Sequence, residues 1–186
     1  MRIGILSDIH DHVWNLRAAL PALQDADTLL VAGDLCSPFV IPILGDGFTR
    51  GRIHVVFGNN DGDRFRMTMV AQAFEHVELH GEVYRGRLDG HELVMNHFPA
   101  LAEPMDAARI PLIVYGHDHR YHVERTGPGA DAGWRLNPGT LLGYDPLSGE
   151  DVPATFLVLD TGKNAVESFQ VAQHGAGHRE VVPYRP

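Results

Sequence analysis

The sequence has a single cysteine, Cys36, among its 186 residues. One cysteine cannot form an internal disulfide, so the fold has to depend on a hydrophobic core, for which this length is sufficient. No apolar run approaches the roughly 20 residues that a helix needs to cross a bilayer. Strand-like sequence starts at Arg2, so we expect no targeting segment. These absences favour a soluble protein of the reducing cytoplasm with no membrane partner.

Positive charge is also scarce, with 15 Lys and Arg residues against 24 Asp and Glu. The formal net charge of -9 argues against non-specific nucleic-acid binding, which needs a basic surface. A content of 44% hydrophobic and 21% charged residues is typical of a globular protein, and the length suits one domain. The 12 histidines are numerous for such a chain and raise the question of metal binding.

A local arrangement recurs along the chain, in which a short apolar run leads into a polar cluster. Five such runs predict buried strands: Arg2–Leu6, Thr28–Ala32, Ile53–Phe57, His91–Met95 and Pro111–Tyr115. Helical spacing marks a first helix through Leu16, Leu20 and Leu23. Pro21 should kink or shorten that helix. A second helix is predicted over Asp63–Phe74, with Phe65, Met69 and Ala73 on one face.

The later part of the chain changes character, since strand pairs replace the alternation of strand and helix. Three hairpins are predicted: Glu82–Leu88 with His91–Met95, Tyr121–Arg125 with Trp134–Asn137, and Ala154–Asp160 with Ala165–Val171. We therefore expect an α/β fold of two packed mixed β-sheets flanked by α-helices. Residues 1–171 should form a single domain. Residues 172–186 are expected to be a C-terminal tail that is loosely held or packs against a neighbour.

The polar clusters contain seven side chains that can bind metal, and each follows a predicted strand: Asp8, His10, Asp34, Asn59, His97, His117 and His119. In α/β sheets, functional groups gather beyond the carboxyl ends of the strands. Seven ligands exceed the four of a typical zinc site, but they suit two ions if one carboxylate bridges them. Mixed imidazole, carboxylate and amide ligands favour manganese, iron, zinc, cobalt or nickel over magnesium. Taken singly, each motif also fits a plain turn or a helix cap.

As a set, these segments resemble the motifs of the calcineurin-like metallophosphoesterases in order and spacing. The matching segments are Asp8-Ile9-His10, Gly33-Asp34, Gly58-Asn59-Asn60-Asp61, His97 and Gly116-His117-Asp118-His119. The resemblance covers nearly the whole chain, and it implies the fold of that superfamily. The small size and the segment Asn137-Pro138-Gly139-Thr140 are most similar to its short bacterial and archaeal phosphodiesterase branch.

The resemblance implies a role for each matching position. Asp8, His10, Asp34 and His119 would hold a first divalent ion, with Asp34 bridging, and Asn59, His97 and His117 would complete a second. Manganese is the first expectation for both ions, with iron, zinc, nickel or cobalt as alternatives. A hydroxide between the ions would attack phosphorus in line.

Two positions depart from the family pattern. Many larger members have a histidine after the ligand asparagine, where it contacts substrate and protonates the leaving group, but this chain has Asn60. An amide can donate a hydrogen bond but cannot act as a general acid, which costs roughly 10²–10⁴ in rate for a poor leaving group. We keep Asn60 as the candidate catalytic side chain. Phe98-Pro99 stands where many relatives have glycine after the ligand histidine.

The main functional prediction is a phosphodiesterase that hydrolyses a small or nucleotide-like phosphodiester. The first alternative is a phosphomonoesterase acting on a small metabolite. The second is a non-catalytic metal-binding interaction module, because a relative in the retromer sorting complex resembles this fold and serves as a scaffold. The expected partner is a small phosphate-ester substrate, and homo-oligomerisation is left open.

Overall fold

The computed structural model describes residues 1–106, 109–127, 132–175 and 177–186. In chain order the elements are β1 (Arg2–Leu6), α1 (Val13–Ala22), β2 (Thr28–Val31), α2 (Val40–Gly47), β3 (Arg52–Val55), α3 (Arg64–Ala71), β4 (Val77–Leu79), β5 (Val83–Leu88), β6 (His91–Asn96), α4 (Pro99–Ala102), β7 (Leu112–Val114), β8 (Tyr121–Thr126), β9 (Gly133–Pro138), β10 (Tyr144–Asp145), β11 (Glu150–Asp151), β12 (Thr155–Asp160), β13 (Ala165–His174) and β14 (His178–Pro183). No helix in these ranges is long and apolar enough to span a membrane.

Two mixed sheets make up the fold, which confirms the predicted fold class. The larger sheet has the strand order β14-β13-β12-β1-β2-β3-β4, and the smaller has the order β5-β6-β7-β9-β8. Strands β1 to β4 are parallel, as the alternation of strand and helix predicted. The three predicted hairpins are confirmed as β5–β6, β8–β9 and β12–β13. Residues 128–131, in the connection of the second hairpin, lie outside the described residues.

Helix α1 follows the predicted pattern of leucines. His12 caps it by accepting a hydrogen bond from Asn15 N at 3.2 Å, and Leu16 and Leu20 are buried. The helix ends at Ala22, one residue after Pro21. Pro21 therefore lies in the last turn, where it shortens the helix as expected and disrupts few helical hydrogen bonds.

Helix α3 ends at Ala71, earlier than the predicted Phe74, and the apolar face predicted from the sequence is not the face that it buries. Met67 and Ala71 are the buried residues, whereas Phe65 is 78% exposed and Met69 is 50% exposed. The helix carries apolar side chains on opposite faces, so periodicity alone could not decide which face meets the sheet. Its start at Arg64 agrees with the prediction, since the Asp63 side chain accepts from Arg66 N at 2.9 Å.

The C-terminal segment is not a loose tail, so this expectation is corrected. Strand β13 extends to His174, and β14 pairs with it as the edge strand of the larger sheet. Gly175 and Gly177 have φ values of 55° and 95°, which glycine adopts readily where the chain reverses between two strands. Val181 then packs against the core, and Arg179 donates to Asn15 Oδ1 at 2.8 Å.

Two apolar cores flank the larger sheet. One lies between this sheet and the helices and includes Leu16, Leu20, Leu44 and Met67. The other lies between the two sheets and joins Ile3, Ile5, Leu30 and Val56 to Leu93, Met95, Leu112, Val114 and Leu136. Packing on both faces holds the sheet in place, so the loops that follow its parallel strands are anchored on a rigid framework.

Candidate metal centre

The predicted metal ligands follow five strands, of which three are parallel in the larger sheet and two are parallel in the smaller. Asp8 and His10 follow β1, Asp34 follows β2, Asn59 follows β3, His97 follows β6, and His117 and His119 follow β7. Since these strands belong to two packed sheets, their carboxyl ends meet at one edge of the molecule. Six of the seven side chains approach one another closely there, through the contacts given below.

Most of these ligand positions have a strained backbone. Asp8, His10, Asp34, His117 and His119 all have positive φ, between 44° and 79°. Non-glycine residues in this region cost on the order of 1–3 kcal/mol each and persist only where the surrounding structure holds them. Here backbone hydrogen bonds do so, since Asp8 N donates to Gly33 O at 3.1 Å and His10 N to Asp34 O at 3.0 Å.

A first group of ligand atoms consists of Asp8, His10 and His119. Asp8 Oδ1 lies 3.6 Å from His10 Nε2 and 3.3 Å from His119 Nε2. The two imidazole Nε2 atoms are 3.1 Å apart. Three donor atoms at these separations can bind one divalent ion.

A second group consists of Asp8, Asp34 and His97. His97 Nε2 lies 3.3 Å from Asp34 Oδ2 and 4.0 Å from Asp8 Oδ1. Asn59 Oδ1 joins this group, at 3.2 Å from His97 Nε2. The two groups share Asp8, so the ligands form one continuous cluster rather than two separate sites.

Two of the imidazole rings are oriented by backbone carbonyls. His97 Nδ1 is 2.7 Å from Ala32 O, and His119 Nδ1 is 2.6 Å from Tyr144 O. Each contact requires a proton on Nδ1, which leaves Nε2 with a lone pair directed at the cluster when the ring is neutral. This arrangement is the one that a metal-binding histidine needs.

The electrostatics of the cluster favour bound positive charge. Burial acts to raise the pKa of the Asp8 carboxyl, but His10 and His119 outweigh it and hold that pKa well below its usual range. The pKa of Asp34 is lowered in the same way, because His97 and Asn60 outweigh burial. Both carboxylates are therefore ionised while almost completely buried.

The surroundings of one buried atom, Asp8 Oδ1, indicate that these residues fit a divalent cation. Asp8 Oδ1 is buried and accepts no hydrogen bond within the described part of the chain. The other carboxylate oxygen, Asp8 Oδ2, accepts hydrogen bonds from Ser7 Oγ at 2.6 Å and from His117 N at 2.9 Å. Leaving a buried carboxylate oxygen unpaired is costly, and a metal ion surrounded by the nearby Nε2 atoms removes that cost.

The predicted ligand His117 lies at the edge of the cluster. Its side chain is exposed, and its ring centroid is 5.1 Å from those of His97 and Phe98. It is absent from both compact groups of ligand atoms among the described residues. Its role as a ligand stays a prediction. Phe98, noted as a departure, packs edge-on against both imidazoles.

Asp61 organises the cluster although sequence reasoning treated it as part of a turn. Its buried carboxylate accepts from Gly58 N at 2.7 Å, Asp34 N at 3.1 Å and Cys36 N at 2.9 Å. It therefore joins the loop that carries Asn59 to the loop that carries Asp34. Its place directly after the two asparagines was the available signal, but the segment Asn-Asn-Asp-Gly also fits an ordinary turn.

Asn60 contacts a ligand through both its backbone and its side chain. Its N donates to Asp34 Oδ1 and its Nδ2 to Asp34 Oδ2, each at 2.8 Å. Cys36 also lies close, with Sγ 3.4 Å from His10 Nδ1. Burial and the charge of Asp34 raise the pKa of the Cys36 thiol to about 12, so it remains a neutral thiol.

Comparison with known proteins agrees with this fold. The model of the calcineurin-like phosphoesterase superfamily domain matches residues 1–164. Over 168 residues the chain is 30% identical to phosphodiesterase MJ0936 of Methanocaldococcus jannaschii, covering 88% of this chain and 95% of that protein. The solved structure of a novel archaeal phosphodiesterase aligns with a TM-score of 0.76 and 28% identity, over 92% of this chain and 100% of that one.

A further solved structure shares the fold alone. Vacuolar protein sorting 29 from Cryptosporidium parvum aligns with a TM-score of 0.65 and 18% identity, over 98% of this chain and 96% of its own. The family match and the archaeal relative show that this chain belongs to the calcineurin-like phosphoesterase superfamily. It is a hydrolase that acts on phosphate esters, and the residues at its strand ends suit the divalent metals that this superfamily uses.

Proposed function

We propose that this chain is a dinuclear-metal phosphodiesterase that hydrolyses a small or nucleotide-like phosphodiester. In this proposal one ion is held by Asp8, His10, Asp34 and His119, and the other by Asp34, Asn59, His97 and His117. Bound divalent ions supply water activation and offset the negative charge of the phosphoryl group. Manganese is the metal that we propose first.

The position of Asp34 is the observation that carries the assignment of two ions. Its Oδ2 lies 3.5 Å from His10 Nε2 and 3.3 Å from His97 Nε2, so one carboxylate reaches ligands on both sides of the cluster. A carboxylate can bridge two cations, whereas an imidazole normally binds one. Asn60 Nδ2 donates to the same oxygen and fixes its direction.

The pairing of Arg64 supports a diester over a monoester. Arg64 follows the Asn59 loop, but its guanidinium donates to Gly58 O at 2.6 Å and pairs with Glu82 at 3.2 Å. Since these partners already hold it, Arg64 is poorly placed to neutralise additional negative charge. A diester carries one negative charge near pH 7, while a monoester carries close to two.

Asn60 also suits a diester with a good leaving group. An amide can hold Asp34 and donate a hydrogen bond, but it cannot protonate a departing alkoxide near pH 7. An ester whose leaving group is already a weak base needs no such proton. The name of the archaeal relative, a phosphodiesterase, supports the same choice.

A groove beside the centre supports the size proposed for the ester. It has a volume of about 410 Å³, and His12, Asn15, Leu142 and Tyr144 are among its lining residues. Tyr144 connects the groove to the centre, since its carbonyl contacts His119 Nδ1. The organic part of a nucleotide-like ester could lie in this groove while the phosphate approaches the ligand cluster.

The proposal is tested by metal analysis of the purified protein together with a panel of esters. We expect two equivalents of manganese per chain and faster hydrolysis of bis-aryl or cyclic nucleotide diesters than of the corresponding monoesters. Faster turnover of monoesters would instead indicate a phosphomonoesterase. Retained metal without turnover of any ester would contradict the proposal and indicate an interaction module.

A further inference from the structure

A second set of metal-binding side chains lies at the edge of the larger sheet, away from the strand-end loops. It consists of His54 in β3, Glu78 in β4 and His80 directly after β4. His54 and Glu78 are partners in the parallel pairing of these strands. Glu78 and His80 are two residues apart, so both side chains lie on the face of the sheet that His54 occupies.

The ligand atoms of this sheet-edge cluster lie at separations that suit one metal ion. His54 Nδ1 is 2.9 Å from His80 Nε2 and 3.5 Å from Glu78 Oε2. His80 Nε2 is 3.7 Å from the same Glu78 oxygen. Two ligands of a tetrahedral zinc ion are about 3.3 Å apart, given bond lengths of roughly 2.0–2.2 Å. The three separations lie on either side of that value.

Neighbouring side chains hold the ligand atoms in this arrangement. The Tyr84 ring, from β5 of the smaller sheet, stacks on His80 with centroids 3.9 Å apart and on His54 at 4.7 Å. Arg52 pairs with Glu78 Oε1, which leaves Glu78 Oε2 for the two imidazoles. The ring orientations and the choice of carboxylate oxygen are therefore set by the protein without a metal ion.

A hydrogen bond between the two histidines explains only part of this geometry. One proton satisfies the contact of His54 with His80, but Glu78 Oε2 is then at 3.5 and 3.7 Å, beyond hydrogen-bonding distance. Burial also lowers the pKa of both His54 and His80, which favours the neutral form of each ring. Two imidazole nitrogens and one carboxylate oxygen thus converge where a single proton cannot satisfy all three.

We propose that His54, Glu78 and His80 form an additional binding site for Zn²⁺, separate from the strand-end centre. Two imidazoles and one carboxylate suit zinc, cobalt or nickel better than magnesium or calcium. The Glu78 side chain is 36% exposed, so a water molecule can complete the coordination from the solvent side. The bound ion would tie β4, the three-residue edge strand, to β3 and protect that edge of the sheet.

The sheet-edge site is tested with the full-length protein and the variant His80→Phe. Phenylalanine removes the ligand nitrogen but keeps a ring that can stack on Tyr84. His91→Phe is the matched control, because His91 is an exposed strand histidine outside the cluster. After incubation with micromolar zinc and desalting, we expect the variant to retain one equivalent less than the wild type and the control.

A second variant, Glu78→Gln, guards against a folding defect in the first, with Glu75→Gln as its control. Glu78 is partly exposed, so its replacement should preserve the fold, which circular dichroism can verify. Crystals grown with zinc should show an anomalous peak between His54, Glu78 and His80 in the wild type and the control variants, but not in His80→Phe or Glu78→Gln. Equal zinc content in all variants would overturn the proposal, as would a peak that appears only at millimolar zinc.

Discussion

Two regions of this chain bring histidines and carboxylates together, and they are built in different ways. The strand-end centre lies on loops with positive φ, and its carboxylates Asp8 and Asp34 are buried. The sheet-edge cluster lies on regular strands, and its only carboxylate, Glu78, is 36% exposed. The first region therefore carries backbone strain and buried charge, whereas the second carries neither. Strain of this kind clusters at functional sites, which supports the proposal that the strand ends form the catalytic region.

The histidines of the two regions also respond to their surroundings in opposite directions. At the strand ends, burial acts to lower the pKa of His97 and His119, but the charges of Asp34 and Asp8 outweigh it and raise both. At the sheet edge, burial dominates over Glu78, and the pKa of His54 and of His80 is lowered. The strand-end histidines face buried carboxylates and the sheet-edge histidines do not. This difference explains why the pKa is raised in the first pair and lowered in the second.

Replacing Asp34 should have the largest effect on hydrolysis and on metal binding at the strand ends. Asp34→Asn keeps the size of the side chain but removes the charge that reaches both ligand groups. We expect hydrolysis to fall by more than the roughly 100-fold that is typical when a residue supporting a metal ligand is lost. Both strand-end ions should bind more weakly.

Steady-state kinetics and metal analysis measure this effect, with Asp46→Asn as the control. Asp46 is an exposed acid in α2, so its replacement should change neither quantity. Zinc at the sheet-edge cluster should remain in the Asp34→Asn protein, because that cluster shares no residue with the strand ends. Unchanged hydrolysis would remove Asp34 from its proposed bridging position.

Replacing Asp61 should have a smaller effect through the geometry of the loops. Asp61→Asn leaves a single acceptor oxygen where three backbone N–H groups now donate. We expect a loss of roughly 10–100-fold in metal affinity or activity. Asp63→Asn is a close control, because asparagine also caps helices well. Equal behaviour of the two variants would show that Asp61 is only a turn residue.

Replacing Asn60 should cost slightly more than tenfold, because one hydrogen bond to a charged group is worth roughly 1.5–3 kcal/mol and this partly buried bond belongs at the lower end of that range. Asn60→Ala removes the Nδ2 bond to Asp34 but keeps the backbone bond. If Asn60 acts only by holding Asp34, the loss should be the same for diesters with good and with poor leaving groups. A larger loss for the poor leaving groups would place Asn60 in contact with the substrate, as the sequence suggested.

The sequence was sufficient to predict the fold because its strands are short, apolar and clearly bounded. The five polar clusters that follow these strands also predicted the candidate ligand set from the sequence alone. The C-terminal hairpin was interpreted wrongly, and the buried face of helix α3 was left undecided, for a physical reason in each case. Phe65 and Met69 fit a helical face as well as Met67 and Ala71 do, and glycines permit both a loose segment and a tight turn.

The contacts that organise the site could not be predicted, because they depend on how separate loops approach one another. Nothing in the local sequence indicates that Asp61 accepts from the loop that carries Asp34, since these residues meet only after β2 and β3 have paired. The sheet-edge cluster was missed for the same reason. His54 and His80 are 26 positions apart, and nothing near either residue in the sequence indicates that they meet or that His54 is only 5% exposed.

The smallest predicted effect concerns proton binding in the metal-free protein. Because the pKa of His97 and of His119 is raised, their contribution to the free energy of unfolding is present below about pH 6.5 and is lost as the pH rises through their folded-state pKa. The lowered pKa of His54 and of His80 has the opposite sign, since that contribution is present above about pH 6.5 and is lost as the pH falls.

The two pairs of histidines contribute to the free energy of unfolding with opposite signs, and these contributions partly cancel in a denaturation curve. The measurement must therefore resolve individual imidazole rings. NMR titration of the imidazole protons, assigned with single-histidine variants, should place His97 and His119 above the ordinary histidine value and His54 and His80 below it. Adding zinc should then abolish titration in both regions, since a metal ion replaces the proton at each ligand nitrogen. If His54 and His80 titrated with the strand-end histidines, the exposed carboxylate of Glu78 would act as strongly as buried Asp8, and the contrast between the two regions would fail.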